Sequence, residues 1–86
     1  MKTFDHIVDP GHGWIKCKKS LLEKLKIAGE VSEYSYMLGD YAYLEEDCDA
    51  GILFKTLQDV GIEFQLRERN CYNRYSRVRN YQTYKR

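Results

Sequence analysis

Eighty-six residues, 43% of them hydrophobic and 31% charged, make one small globular domain and leave no room for a catalytic domain beside a second one. The formal net charge is only +1, and the three cysteines (Cys17, Cys48, Cys71) are odd in number with no Cys-x-x-Cys pair, which excludes disulfide scaffolds and zinc ribbons. No apolar run approaches the roughly 18 residues that span a bilayer, and MKTFDHIVDP lacks the apolar core of a secretion signal, so a cytosolic protein with reduced thiols is expected.

In chain order, Thr3 to Val8 (TFDHIV) has the look of a strand, and Asp9-Pro10-Gly11 is a turn signal. His12 to Lys18 alternates as a strand, with Trp14 and Lys16 on one side and Ile15 and Cys17 on the other. Ser20 offers a helix N-cap, Glu23 completes a capping box, and Leu21, Leu25 and Ala28 supply an apolar face supported by Leu22. Gly29 is the expected stop.

SEYSYMLGDYAYLEE reads as a hairpin turning at Gly39-Asp40. That register sets Tyr36 opposite Tyr43, Met37 opposite Ala42 and Leu38 opposite Tyr41. Alternation then gathers Tyr34, Tyr36, Tyr41 and Tyr43 on one face. Asp47 or Asp49 is placed to cap a second helix, whose stripe is Ala50, Leu53, Phe54 and Leu57 and whose end is Gly61. Ile62, Phe64 and Leu66 alternate with polar residues as a last strand.

Strand, helix, strand, strand, helix, strand is the α+β, ferredoxin-like βαββαβ plan. In it, two helices cover one face of an antiparallel sheet over Ile15, Cys17, Met37, Ala42, Leu44, Ile62, Phe64 and Leu66. The strand at Thr3–Val8 is an addition for which that plan has no place. Residues 1–69 are expected to form the α+β domain and 70–86 a basic C-terminal arm.

Charge divides along the chain. Met1 to Leu66 carries seven Lys/Arg against twelve Asp/Glu, whereas Arg67 to Arg86 carries seven against Glu68 alone. A basic segment of this kind meets phosphates, an acidic partner, or its own acidic body. In it Tyr72, Tyr75, Val78, Tyr81 and Tyr84 recur every third residue, with Arg74, Arg77 and Arg79 between them. Interleaved Arg and Tyr suits a nucleic-acid or protein interface, and equally a tail stapled to its own sheet by stacking and cation–π contacts.

Candidate chemistry is sparse. His6, Asp9 and His12 have metal-ligand types without a recognised spacing, and a turn in which Asp9 caps its own backbone explains them. Gly11-x-Gly13 precedes a strand, where no helix N-terminus waits for a phosphate. Each cysteine lacks an evident activating base. Glu45, Glu46, Asp47 and Asp49 are explained by capping and solvation. The expectation is a non-enzyme with no cofactor and no metal.

Surfaces are the stronger lead. If helices cover one face only, Trp14, Tyr34, Tyr36, Tyr41 and Tyr43 form a bare aromatic face, as in RNA-recognition-motif sheets, although the RNP1 pattern is missing. The acidic group Glu45, Glu46, Asp47 and Asp49 would dock on a basic groove, with Arg74, Arg77 and Arg79 as further anchors.

The run GHGWIKCKKSLLEKLKIAGEVSEYSYMLGDYAYLEEDCDA, with the later VRNYQTY, resembles small accessory proteins carried by tailed phages and plasmids, over about His6 to Tyr84. The resemblance implies a bacterial cytosol and an element that gains by disabling a host process, for example by occluding CRISPR or restriction machinery. The resulting expectation is an anti-defence inhibitor whose partner is a host protein or ribonucleoprotein complex. A single-stranded nucleic-acid-binding module using Trp14, Tyr41, Tyr43 and the arm is the alternative, and a homodimer paired through the tyrosine faces a third; no membrane partner is expected.

Overall fold

The structure, a computed structural model, describes residues 1–72 and 74–85. The elements are β1 (Lys2–Val8), β2 (Gly13–Lys18), α1 (Lys19–Lys24), β3 (Tyr36–Leu38), β4 (Tyr41–Glu45), α2 (Ala50–Asp59), β5 (Phe64–Asn70) and β6 (Gln82–Thr83), with single 3₁₀ turns at Ala28–Glu30 and Arg77–Asn80. They form one mixed α+β unit around a six-stranded sheet ordered β5-β1-β2-β4-β3-β6. Only β1 and β5 run parallel.

The expected hairpin forms in the expected register, with Tyr36 opposite Tyr43, Met37 opposite Ala42 and Leu38 opposite Tyr41. The pairing order differs from the simple plan. There the last strand would lie against β2; instead β1 takes that place and β5 pairs with β1. A strand with Phe4 on one face and Ile7 on the other has apolar groups to bury on both sides, which a central position provides. Displaced to the edge, β5 leaves Leu66 43% exposed, so this expected core residue is largely outside.

Under the helices, Phe4, Ile15, Cys17, Leu22, Ala42, Leu44, Ala50, Leu53 and Leu57 form a continuous buried core, with Met37, Ile62 and Phe64 at its margin. Helix α2 presents the anticipated stripe, and Phe54 stacks on Phe64 at 5.0 Å. It ends as anticipated: Gly61 takes φ 77°, its N–H donates to the Gln58 carbonyl, and the Ile62 N–H donates to Leu57. That is a Schellman close, for which glycine at the positive-φ position is the usual choice.

Helix α1 differs at both ends. It is continuous with β2, and the Lys19 N–H is taken by the Asp40 carbonyl at 2.8 Å, so Ser20 sits inside the helix and makes no cap. It also stops before Gly29. Lys26 takes φ 62°, its N–H donates to Glu23, and the Ile27 N–H donates to Leu22. The same Schellman geometry thus turns Ile27 back into the core beside Leu22, and burial of Ile27 outweighs the positive-φ cost at a lysine.

The basic segment does not stand off as an arm. Residues 76–84 cross the face opposite the helices, add β6 to the β3 edge, and return Tyr84 to the helix-side core. Val78 is buried against Trp14 and Tyr43, and Tyr81 packs on Tyr43 with ring centroids 5.0 Å apart. The Tyr84 hydroxyl donates to the Ala28 carbonyl at 2.8 Å. Leaving Trp14 and Tyr43 in water would forgo burial of about 150–250 Å² each, and this strap recovers it. Asn73 and Arg86, both within the expected arm, lie outside the described residues.

Candidate functional site

The turn after β1 anchors the strap. The Asp9 carboxylate accepts from the backbone N–H groups of Gly11 and His12, as an Asx turn does, and also from the N–H of Ser76. Arg79 completes the set with a two-pronged contact, Nε at 2.7 Å and Nη2 at 2.8 Å. The Asp9 side chain is fully buried. The guanidinium of Arg79, joined by the three amides and opposed by burial, holds its carboxyl well below the usual carboxylate range. A Cβ at position 11 would stand 2.8 Å from Arg79 Nη2, and at position 13 it would collide with the Glu46 and His6 side chains, which meet there at 3.0 Å. The Gly-x-Gly pair therefore makes room for the Asp9–Arg79 and His6–Glu46 contacts.

The acidic group at the β4–α2 junction separates into different tasks. Glu45 is buried; its Oε2 accepts from the N–H groups of Asp47 and Cys48, which open the way into α2. Asp49 is buried too, and instead of capping its own helix it accepts from the Ser32 N–H and hydroxyl and from the Ser35 hydroxyl. Glu46 pairs with His6. Of the four, Asp47 alone stays exposed with no ion pair to a described residue. Two of the four expected docking carboxylates, Glu45 and Asp49, are thus internal, because a strand-to-helix junction has donors that need acceptors, while Glu46 and Asp47 stay exposed.

What remains open beside the strap is a cleft of about 370 Å³. Its walls carry Trp14, Tyr34 and Tyr36, the carboxylates of Glu33, Glu45 and Asp47, and also His12, Cys48 and Arg79. Trp14 packs edge-on to Tyr36 at 6.3 Å and lies 6.0 Å from the His12 ring. Arg79, the cation of this lining, is already committed to Asp9, with Trp14 and Tyr75 rings 5.6 and 4.5 Å away. Tyr34 is 67% exposed at the rim. Glu33, which sequence reasoning passed over, joins the site because the loop before β3 carries it there.

The aromatic face expected from the sequence is only partly available. Trp14 and Tyr43 are 2% and 5% exposed. Burial, then the neighbouring Tyr81, pushes the Tyr43 hydroxyl up. Base stacking by these two rings, or dimer pairing through them, is blocked by the chain's own strap. Tyr36 and Tyr41 are half-buried, and Tyr34 lies outside the strands. Arg74 and Arg77 are exposed. Trp14 Nε1 is buried with no hydrogen-bond partner among the described residues.

Cys48 faces the cleft as a free thiol. Its hydrogen bond with Glu45 and the nearby carboxylates push its pKa up, so it is held as the thiol, the weakly nucleophilic form. No group of three or more His, Cys, Asp or Glu among the described residues is placed to hold a metal ion. No helix among them is long and apolar enough to cross a membrane.

No family model, curated protein or solved structure matches this chain.

Proposed function

We propose that the chain is a small non-enzymatic binding protein whose acidic, aromatic cleft receives a Lys- or Arg-rich segment of another protein. The observation that carries this is the lining itself: Glu33 and Asp47 with no ion pair among the described residues, the rings of Tyr34 and Tyr36 beside them, and Arg79 neutralised by Asp9. Carboxylates steer a cation to such a site and aromatic faces hold it once desolvated. Basic segments of that kind line nucleic-acid-binding grooves. Together with the resemblance to phage and plasmid accessory proteins, this supports an anti-defence inhibitor that occludes a CRISPR or restriction complex in the bacterial cytosol. The β2–α1–β3–β4–α2–β5 succession reads, on this proposal, as a ferredoxin-like unit widened by β1 and β6.

The test follows Trp14, the single tryptophan, as reporter. An oligo-arginine peptide should change its emission with saturable binding, and Glu33→Gln with Asp47→Asn should weaken that binding at least tenfold without loss of far-UV circular dichroism. Expressed in a host with active CRISPR or restriction immunity, the native chain should raise phage plating and the double variant should not. Binding unaffected by the double variant would remove the cleft from the reading; unchanged plating by the native chain would remove the anti-defence role.

A further inference from the structure

The same sheet face has a second half, which the strap leaves uncovered and whose charge is opposite. Pairing register places Lys16 and Lys18 of β2 on this face with Tyr43 and Tyr41, while Asp5 of β1 stands between Lys16 and Arg67. Alternation adds Arg69 of β5 and Thr3 of β1. The result is a trough. Its floor is β1, carrying the short side chains of Thr3 and Asp5, and its walls are long cationic side chains from β2 and β5. Strands two apart set those walls about 10 Å from each other, and successive cations along one wall about 6.7 Å apart.

Three shallow depressions of about 260, 330 and 390 Å³ follow one another along this trough and around the end of the sheet, joined by shared walls. Tyr41 lines all three, and Lys2, Lys16, Lys18, Lys19 and Arg67 line one or more of them. Only Asp5 and Asp40 oppose them. Asp5 holds Arg67 at 2.9 Å and lies 3.7 Å from Arg69, which orients both forks while they stay more than half exposed. Lys16 Nζ lies 4.3 Å from the centre of the Tyr41 ring. Lys2, Lys18 and Lys19 make no ion pair with any described residue. A row of linked depressions suits an extended chain better than a compact ligand. Cations spaced along strands around an aromatic ring suit a chain with one phosphate per unit and flat bases.

We propose that this trough binds single-stranded nucleic acid, with Lys16, Lys18, Arg67 and Arg69 on successive phosphates and Tyr41 against a base. The surface is separate from the acidic cleft and stands whether or not the cleft binds protein. Fluorescence anisotropy with a labelled 15-nucleotide oligothymidylate tests it. Binding should be saturable at 50 mM salt and weaken as salt rises, with a log–log slope of roughly −3 for four phosphate contacts at about −0.7 each. Lys16→Gln with Lys18→Gln should cost at least tenfold in affinity and flatten that slope by about 1.4. Arg67→Gln alone should cost less in the same direction, and Glu33→Gln with Asp47→Asn should not weaken binding. All these positions are wholly or partly exposed, and circular dichroism verifies the fold of each variant. No binding at 50 mM salt, binding unchanged in the lysine double variant, or equal displacement by an oligoglutamate of matched charge would overturn the proposal.

Discussion

The two faces of this sheet are closed by different means. On one, two helices and the turns around them close over Ile15 and Leu44 with Leu22, Leu53 and Leu57, and these residues are 0–1% exposed. On the other, a strap with one 3₁₀ turn and a two-residue strand covers Trp14 and Tyr43, and its register is pinned by polar groups: Asp9 with Arg79 and Ser76, and the Ser76 hydroxyl with the Val78 N–H. The helix side gains its stability from area and packing, which have no preferred direction. The strap side buries fewer apolar residues, leaves Trp14 Nε1 without a partner among the described residues, and depends on directional bonds to hold its place.

The difference yields an ordered set of expectations. Leu53→Ala should cost the most, about 3 kcal/mol, because it opens a cavity in a fully buried site. Urea unfolding followed by Trp14 emission and by far-UV circular dichroism should shift together, since both faces share the sheet. Asp9→Ala should cost about 2 kcal/mol, reduced from the value of a fully buried pair because Arg79 is about a third exposed. Here the two probes should separate: Trp14 emission should report a loosened strap at denaturant concentrations where the helices persist. Coincident transitions in Asp9→Ala would show that the strap and the helix-side core are one cooperative unit.

Acid should reproduce the Asp9 effect without a substitution. The Asp9 carboxyl is depressed in the folded chain, so its contribution is fully present above the ordinary aspartate range near pH 4 and is lost as pH falls below it toward the folded value. Trp14 emission titrated downward from pH 5 should therefore change in the native chain and stay flatter in Asp9→Ala. Tyr84→Phe removes one hydroxyl bond to the Ala28 carbonyl where the strap rejoins the helix side, and should cost about 1 kcal/mol with both probes moving together. Lys55→Ala, which breaks an exposed i,i+4 pair with Asp59 on α2, should change stability by no more than about 0.5 kcal/mol on either probe.

Much of the local structure was readable in advance, for identifiable reasons. The β3–β4 register follows from alternation and a two-residue turn, and the α2 stripe from helical spacing, so neighbours in sequence decide both. The candidate site was read less well. Alternation places Tyr36, Tyr41 and Tyr43 on the sheet face they occupy, though not Tyr34, and the strap that hides Trp14 and Tyr43 comes from more than sixty residues beyond Trp14 and leaves no local mark. The acidic residues were visible as a group, yet their division into buried acceptors (Glu45, Asp49) and an exposed charge (Asp47) depends on which backbone donors the junction leaves unpaired. Glu33 reaches the cleft through the path of the loop before β3, and the Lys16–Arg67 trough through strand pairing, and neither is written in sequence spacing.

The sequence by itself determined the types of β1 to β5 and of both helices, the hairpin register, the apolar stripe of α2 and the separation of acidic from basic charge, since each is written in spacings of two to four residues or in plain composition. Tertiary structure alone decided that β1 enters the sheet between β2 and β5, that α1 ends at Lys24 with the turn at Lys26, and that the basic segment returns across its own sheet. Each of these turns on burial between distant residues: a two-sided strand seeking a central place, Ile27 turning inward, and indole and phenol rings that are more stable under a strap than in water.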